Sequence, residues 1–303
     1  MVILNGGKSD DTALDVGVTH TLLSLILPAR NEAEGLRRLL PELVATFPNA
    51  EIIVVDDSSS DDTPTLCADF PVSLVQHPYP KGNGAAIKSG ARAAKGDVLI
   101  FMDADCQHRP EDIPLLLEKF QQGYDMVVGA RQSRSQVAHR AIANGFYNKL
   151  ASWMVGHTVQ DLTSGFRVVK ADKFRKFLYL LPNGFSYPTT ITMSFFRAGF
   201  SIAYVPIVAP KRIGKSHIKL FRDGGRFLLI IFKIGTLYSP LKLFLPISLV
   251  FFLTGLGYYI YTFFSIHRFT NMSALLFVTS VMIFLMGLVS EQITALNYRD
   301  SEN

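Results

Sequence analysis

An apolar run that stops at two aspartates constrains the fold of this chain more than any other stretch. The run VLIFM, residues 98–102, leads into Asp103 and Asp105, with one alanine between them. A short, continuous apolar run of this kind is typical of a strand buried on both faces of a parallel sheet. Open α/β sheets bind their ligands at the carboxyl ends of such strands. The two carboxylates are therefore candidate ligand groups at the edge of a sheet.

The polar residues after this strand offer hard oxygen ligands from Asp103, Asp105 and Gln107. Mg²⁺ and Mn²⁺ prefer such oxygens, and Mg²⁺ in particular often has few protein ligands besides substrate phosphates. The alternative is a solvated acidic turn, and the three residues alone leave both interpretations open. The rest of the chain favours the metal site.

Strands and helices alternate over roughly 110 residues around this motif. We predict strands over 22–27, 51–57, 72–76, 98–102 and 126–129, and helices after 32, from about 63, over 85–94, from 110 to about 122 and over 138–155. This alternation predicts a mostly parallel sheet with helices on both faces. Polar clusters at 28–32, 56–57 and 103–107 each follow a strand, so we expect them to converge along one edge of the sheet.

The glycine-rich stretch KGNG, residues 81–84, matches no standard nucleotide-binding motif. It lacks the spacing of a phosphate-binding P-loop, and no G-x-G-x-x-G pattern follows the first strand. A P-loop NTPase and a dinucleotide enzyme are both disfavoured. We interpret the glycines as permitting a tight turn into the next helix.

Two apolar runs near the end of the chain, 243–266 and 271–290, contain no Asp, Glu, Lys or Arg. Each is long enough to cross a membrane as a helix. The four residues between them predict a tight hairpin. The stretch 221–237 mixes Arg222, Arg226 and Lys233 with apolar residues, which indicates an amphipathic helix lying in the membrane interface.

The net charge of +5 is concentrated before the first of these spans. Basic residues that crowd on one side of a span predict that side to be cytoplasmic, so both termini are expected in the cytoplasm. The same crowding favours anionic lipid and phosphate-bearing substrates as partners, and argues against nucleic acid.

Seven motifs, in their order and spacing, resemble those of the family 2 glycosyltransferases with the GT-A fold. Within that family they are most similar to the polyprenyl-phosphate sugar synthases, the group that includes dolichol-phosphate mannose synthase. The motifs are PARNE at 28, VVDDSSSDDT at 54, KGNGAAIKSGARAAKGD at 81, MDADCQH at 102, GAR at 129, DLTSGFR at 161, and VPI at 205 followed by KRIGKSH at 211.

The resemblance implies a role for each matching residue. The donor pocket comprises Pro28, Arg30, Glu32, Val55, Asp57, Asp103, Ala104, Asp105, Arg131, Arg212 and His217. The metal ligands are Asp103, Asp105 and Gln107, and the residues implied in catalysis are Asp105, Arg131 and Arg212. Candidates for the acceptor phosphate are Arg167, Lys215 and Ser216. Which of Lys211, Arg212 and His217 meets a phosphate stays open, and an ordinary surface salt bridge is the alternative role for Arg131.

The resemblance also implies an activity. This is the inverting transfer of a hexose from a nucleotide diphosphate sugar, of the GDP-mannose or UDP-glucose type, to undecaprenyl or dolichyl phosphate, with Mg²⁺ or Mn²⁺ as cofactor. A phosphate acceptor is already ionised, whereas a hydroxyl acceptor needs a general base. The alternatives are a family 2 enzyme acting on a glycan or glycolipid hydroxyl, and a catalytically silent membrane scaffold. Homo-oligomerisation stays open.

The domain organisation follows from these points. We predict a mobile N-terminus over 1–20, a GT-A catalytic domain over 21–219, an interface helix over 220–240, membrane helices over 241–266 and 271–290, and a cytoplasmic tail over 291–303.

Overall fold

The computed structural model describes residues 22–131, 138–184, 187–208 and 235–299. The predicted mobile N-terminus and the predicted interface helix up to residue 234 lie outside the described residues. The same holds for the late basic loop and its four site candidates, Arg212, Lys215, Ser216 and His217.

In the described residues, seven strands and nine helices follow one another. The strands are β1 Leu23–Ala29, β2 Glu51–Asp56, β3 Ser73–Gln76, β4 Val98–Phe101, β5 Met126–Arg131, β6 Arg167–Lys170 and β7 Ile202–Ile207. The helices are α1 Ala33–Thr46, α2 Thr63–Cys67, α3 Asn83–Ala93, α4 Ile113–Gln121, α5 Ala138–Val155, α6 Ala171–Arg175, α7 Tyr187–Arg197, α8 Pro240–Ile266 and α9 Asn271–Arg299. A 3₁₀ turn, Pro110–Asp112, precedes α4.

The strands form one sheet in the order β3-β2-β1-β4-β6-β5-β7. All neighbours run parallel except β6, which is antiparallel to both β4 and β5. The predicted mostly parallel α/β sheet is confirmed. The sequence prediction did not include β6, which has only four residues and begins at Arg167, the last residue of the DLTSGFR motif.

Side chains alternate between the two faces of the sheet and form two cores. Leu25 and Leu27 of β1 pack with α1 and α4 on one face, whereas Ile26 between them packs with α3 and α7 on the other. Every one of these strand side chains is fully buried. Helices thus cover both faces, and ligands have access to the sheet at its edges.

The strand register brings the predicted polar clusters together. Ala29 of β1 pairs with Asp56 of β2, and Ile26 of β1 pairs with Phe101 of β4. Beyond these pairs, the amide of Asp57 donates to the carbonyl of Ala29 over 2.9 Å. The loops after β1, β2 and β4 therefore leave the sheet side by side, as the sequence predicted.

The helices α8 and α9 are long, apolar and packed against each other. Their mean hydropathies of 1.9 and 2.4 make both candidate membrane spans by length and composition. The hydroxyls of Ser248 and Ser280 each donate to the other residue's carbonyl over 2.9 Å. A side chain on Gly287 would lie 2.8 Å from the Cβ of Phe244, so small residues allow close helix contact. Helix α9 continues past the predicted end at residue 290, to Arg299.

At the opposite edge of the sheet, Asp125 joins three elements. Its carboxylate accepts hydrogen bonds from Lys170 Nζ over 2.8 Å, Lys173 Nζ over 2.7 Å and Ser201 Oγ over 3.1 Å. Burial alone would raise the pKa of Asp125, but the two lysines and Ser201 outweigh it and hold the pKa far below its usual value.

Replacing Asp125 with asparagine is expected to lower the free energy of unfolding by about 2 kcal/mol at pH 7, because two lysines lose their charged partner. A lowered native pKa stabilises above the carboxylate's usual pKa of about 4, and this stabilisation fades as the pH falls below it. Thermal unfolding in detergent at several pH values measures the difference. Asp172→Asn, which removes an exposed carboxylate on α6, is the control and should change little. A deficit that stays constant down to pH 3 would contradict this prediction.

Candidate active site

The turn after β4 presents the predicted metal-binding residues at the edge of the sheet. The carboxylate of Asp105 accepts the amide of Gln107 over 3.2 Å, which holds the turn closed. Cys106 between them has a φ of 57°, in the left-handed region. The side chain of Asp103 is about one third exposed, at 34%. Asp103, Asp105 and Gln107 thus share one tight, partly exposed turn.

His108 packs beside this turn and forms a hydrogen bond with it. Its ring stacks on Phe166 with centroids 4.9 Å apart, and its Nδ1 accepts the amide of Asp103 over 3.3 Å. Burial lowers the pKa of His108 to about 4, so the ring is neutral at physiological pH and accepts this hydrogen bond. Sequence analysis gave His108 no role, although it closes the MDADCQH motif.

Helix α1 approaches the same turn at Gly35. A Cβ atom there would lie 2.2 Å from the carbonyl oxygen of Ala104, which is too close for any side chain. Cys106 Sγ also lies 3.5 Å from the carbonyl oxygen of Gly35. The first turn of α1 therefore packs directly against the backbone between the two aspartates, and Gly35 is required for this contact.

Arg131, at the end of β5, is held by a buried partner. Its Nε and Nη2 donate to the two carboxylate oxygens of Asp161 over 2.8 and 3.0 Å, and Nη2 also donates to Thr163 Oγ1 over 2.6 Å. The side chains of Arg131 and Asp161 are 23% and 6% exposed. This is a two-pronged, largely buried ion pair, in place of the ordinary surface salt bridge that was the alternative.

The charges of this pair act on the turn formed by residues 103–107. Burial lowers the pKa of Arg131. The carboxylates of Asp161, Asp103 and Asp105 raise it by more than burial lowers it, so the pKa lies above its usual value. Burial raises the pKa of Asp161, and the bonds and charge of Arg131 bring it below its usual value. Arg131 is therefore a fixed cation within the electrostatic reach of both aspartates of the turn.

The loop that carries Asp161 also touches Asp103. Asp161 Oδ1 accepts the amides of Thr163 and Ser164 over 3.0 and 3.1 Å, which folds the loop around its carboxylate. A Cβ atom on Gly165 would lie 3.0 Å from Asp103 Oδ2, so the loop passes close beside that carboxylate. The DLTSG segment thus joins Arg131 to the turn formed by residues 103–107. The motif was recognisable in the sequence, but the pairing of Asp161 with Arg131 was not predicted from it.

Arg167 corrects one prediction. It was a candidate for the acceptor phosphate, but its side chain is fully buried. Its guanidinium donates to the carbonyls of Ser164 and Pro188 and to Thr192 Oγ1, which ties the site loop to α7. In this arrangement it supports the site from within the core and does not face a bound lipid phosphate.

Asp57 and Val55, which were predicted to line the donor pocket, are both buried. Asp57 accepts the amides of Lys81 and Gly82, each over 2.8 Å, and its Oδ1 lies 2.7 Å from His77 Nδ1. The side chain of Val55 is fully buried in the core. Asp57 therefore positions the 81–84 loop, and Val55 is a core residue.

The first polar cluster is joined to the loop after β2. Asn31, with a φ of 56°, accepts the amide of Ser60 over 2.8 Å through its side chain. The main-chain amide of Asn31 donates to Ser59 Oγ over 2.9 Å, and the main-chain amide of Ala33 donates to Asp61 Oδ2 over 3.1 Å. Pro28, Arg30 and Glu32 lie on the resulting rim, partly or fully exposed.

The donor set of the turn fits a hard divalent cation. Two carboxylates and one amide oxygen suit Mg²⁺ or Mn²⁺, and so small a set leaves coordination positions for substrate oxygens and water. Among the described residues, no group of three or more His, Cys, Asp or Glu side chains is arranged to hold a metal.

Comparisons with known proteins agree with this geometry. The model of the family "Glycosyl transferase family 2" matches residues 24–178, and that of the "GtrB C-terminal hairpin" matches 239–296. A dolichol-phosphate mannosyltransferase of Pyrococcus furiosus is 35% identical over 50% of this chain and 46% of its own length. An undecaprenyl-phosphate mannosyltransferase of Micrococcus luteus is 33% identical over 64% of this chain and 86% of its own length.

Solved structures support the fold. Glucosyl-3-phosphoglycerate synthase of Mycobacterium tuberculosis, in complex with Mn²⁺, UDP-glucose and phosphoglyceric acid, aligns with a TM-score of 0.60 at 20% identity. The alignment covers 76% of this chain and 84% of that one. The sheet and the helices that cover it thus agree with the GT-A architecture predicted from the sequence, and two long apolar helices follow this domain, as predicted. The chain belongs to glycosyl transferase family 2.

Proposed function

We propose that the chain transfers one hexose from a nucleoside diphosphate sugar to undecaprenyl or dolichyl phosphate, with inversion at the anomeric carbon. The observation that carries the proposal is a juxtaposition. Asp103, Asp105 and the ion-paired Arg131 lie together on a domain that continues into two long apolar helices. The relatives from Pyrococcus furiosus and Micrococcus luteus are named as mannosyltransferases of polyprenyl phosphates.

Asp103, Asp105 and Gln107 are the residues that we propose to hold Mg²⁺ or Mn²⁺. Structures of the Mycobacterium tuberculosis synthase contain Mn²⁺ together with UDP or UDP-glucose, which supports a divalent ion in the shared fold. When bound, such an ion stabilises the negative charge that develops on a leaving diphosphate. Arg131 adds a fixed positive charge beside it, already oriented by Asp161 before any substrate arrives.

The donor is proposed to lie along the rim formed by Pro28, Arg30 and Glu32, above the buried residues Val55, Asp57 and Ala104. These groups sit at the carboxyl ends of β1, β2 and β4, where the register brings the loops together. Arg212 and His217 complete the donor pocket in this proposal, and Lys215 and Ser216 meet the acceptor phosphate.

The described site favours a phosphate as the acceptor. A hydroxyl acceptor needs a general base, whereas a phosphate is already ionised. Asp161 is committed to Arg131, and His108 is buried between Phe166 and the amide of Asp103. Neither group serves as a base for a substrate hydroxyl.

The setting that we propose is a membrane crossed twice by α8 and α9, with the catalytic domain and both termini in the cytoplasm. The apolar length of the two helices supports the crossings, and the basic residues before the first span support the orientation.

A transfer assay tests the proposal. Purified full-length protein is incubated with Mn²⁺, undecaprenyl or dolichyl phosphate, and radiolabelled GDP-mannose, UDP-glucose or UDP-N-acetylglucosamine in turn. Acid-labile label in the lipid phase from one donor is the expected result, because glycosyl phosphates are labile, and it would identify the sugar. Acid-stable label would indicate an enzyme acting on a hydroxyl. Metal-dependent donor binding without any turnover would indicate a silent scaffold.

A further inference from the structure

Tyr187, the first residue of α7, lies buried behind the active site and has no assigned role. Its side chain is fully buried, and its hydroxyl donates to the carbonyl of Gly165 over 3.2 Å. Burial raises the pKa of Tyr187 well above its usual value, so the hydroxyl keeps its proton and remains a donor. This hydrogen bond joins the first turn of α7 to the loop 161–165, which also carries Asp161.

The aromatic ring of Tyr187 is held on two sides. The ring of Phe101, the last residue of β4, meets it edge to face at a centroid distance of 6.5 Å. The guanidinium carbon of Arg167 lies over it, 5.9 Å from its centroid. Arg167 is itself fixed, because it donates to the carbonyl of Pro188 and to Thr192 Oγ1. These contacts fix the direction in which the hydroxyl of Tyr187 points.

The two segments that Tyr187 contacts meet at Asp103. Phe101 precedes Asp103 by two residues in the chain. Gly165 lies beside the carboxylate, where a Cβ atom on the glycine would be 3.0 Å from Oδ2 and 3.3 Å from Oδ1. After burial, the negative charge of Asp103 also raises the pKa of Tyr187, which agrees with a short separation between the two side chains. Tyr187 therefore contacts the end of β4 and the loop 161–165 at the point where the first predicted metal ligand lies.

We propose that Tyr187 is a positioning residue for the divalent cation: its hydrogen bond to Gly165 holds the loop 161–165 against Asp103 and fixes the orientation of that carboxylate. This inference rests on the proposed metal site. Groups that orient a metal ligand from behind commonly contribute about tenfold or more to metal affinity. Without the hydroxyl, the buried carbonyl of Gly165 would lose this donor, and the loop would shift to find another.

The position of the bond within the loop indicates which property of the enzyme depends on it. Asp161, at the start of the loop, is paired with Arg131, whereas Gly165, four residues later, lies beside Asp103. Tyr187 holds only the second of these two positions. Loss of its hydroxyl should therefore weaken metal binding and leave the oriented Arg131 in place.

The variant Tyr187→Phe tests the proposal, because it removes the hydroxyl and keeps the buried ring. Full-length protein in detergent is titrated with Mn²⁺ in the presence of GDP or of UDP, and free Mn²⁺ is measured by electron paramagnetic resonance. The dissociation constant for Mn²⁺ is expected to rise about tenfold. In the lipid transfer assay, the Mn²⁺ concentration for half-maximal rate should rise similarly, while the rate at saturating Mn²⁺ stays within about twofold of wild type.

Tyr204→Phe is the matched control. Tyr204 of β7 and Arg167 of β6 both pair with Val128 of β5, so their side chains lie on the same face of the sheet. The hydroxyl of Tyr204 is also buried, but it has no hydrogen-bond partner among the described residues. This variant should bind Mn²⁺ as the wild type does, which would exclude a general effect of removing a buried tyrosine hydroxyl.

The outcomes separate this inference from the proposed metal site. If the wild-type protein binds Mn²⁺ and Tyr187→Phe binds it equally well, the role of Tyr187 alone is overturned. A lower melting temperature of the variant with unchanged Mn²⁺ affinity has the same meaning, because the contact is then purely structural. If the wild-type protein binds no Mn²⁺ with either nucleotide, the metal site and the role of Tyr187 are overturned together.

Discussion

Replacing Asp105 with alanine is expected to lower hexose transfer by about a thousandfold or more. Asp105 supplies a metal ligand in the proposed site, and its Oδ1 also holds the amide of Gln107. The variant loses both a negatively charged ligand of the proposed metal ion and the hydrogen bond that holds the turn closed. Initial rates of lipid labelling, at saturating donor and over a range of Mn²⁺ concentrations, measure the loss.

Asp97→Asn is the matched control for this variant. Asp97 is an exposed carboxylate just before β4, at the opposite end of the same strand. It should retain the wild-type rate, which would exclude a general effect of removing a carboxylate close to an end of β4. Transfer by Asp105→Ala at more than about a tenth of the wild-type rate would remove Asp105 from the proposed metal site.

Replacing Arg131 with methionine is expected to lower the free energy of unfolding by about 3–5 kcal/mol and to abolish transfer. The destabilisation arises because Asp161, whose side chain is 6% exposed, would keep a buried charge without its partner. Activity is lost because the fixed cation beside Asp103 and Asp105 disappears. Thermal unfolding in detergent and the lipid transfer assay measure the two effects separately.

A second variant distinguishes the two roles of this ion pair. Asp161→Asn keeps an oxygen to accept the amides of Thr163 and Ser164 but removes the charge. Combined with Arg131→Met, it should recover part of the lost stability without any recovery of transfer. Arg109→Ala breaks an exposed pair with Glu111 and should leave both measurements near wild type. Equal stability of the single and the double variant would contradict a buried, coupled pair.

The convergence of the site was predictable because it follows from parallel strands. Polar residues that follow β1, β2 and β4 must meet at one edge, whatever the details of their loops. The Arg131–Asp161 pair was not predictable in this way. The two residues are 30 positions apart, and they meet because β6 runs antiparallel and therefore starts at the edge where β4 and β5 end. A short strand after a polar motif gives little sequence signal.

Depth below the surface was the second property that the sequence did not reveal. Asp57, Val55 and Arg167 all lie in the motifs that form the site, but their side chains point into the protein. A sequence motif contains residues that contact a ligand and also residues that hold those ligand-contacting residues in place. The sequence alone does not distinguish the two kinds. Hydrogen bonds such as those from Lys81 and Gly82 to Asp57 separate the two kinds only in three dimensions.

Glu291 ties the catalytic domain to the two apolar helices. Its carboxylate accepts hydrogen bonds from Arg197 of α7 and from the amide of Leu241 in α8. In the proposed membrane setting, these contacts favour a constant height of the turn 103–107 above the bilayer. A lipid acceptor would then have to raise its own phosphate to that turn, and selection among acceptors would act on the part of the lipid that leaves the headgroup layer.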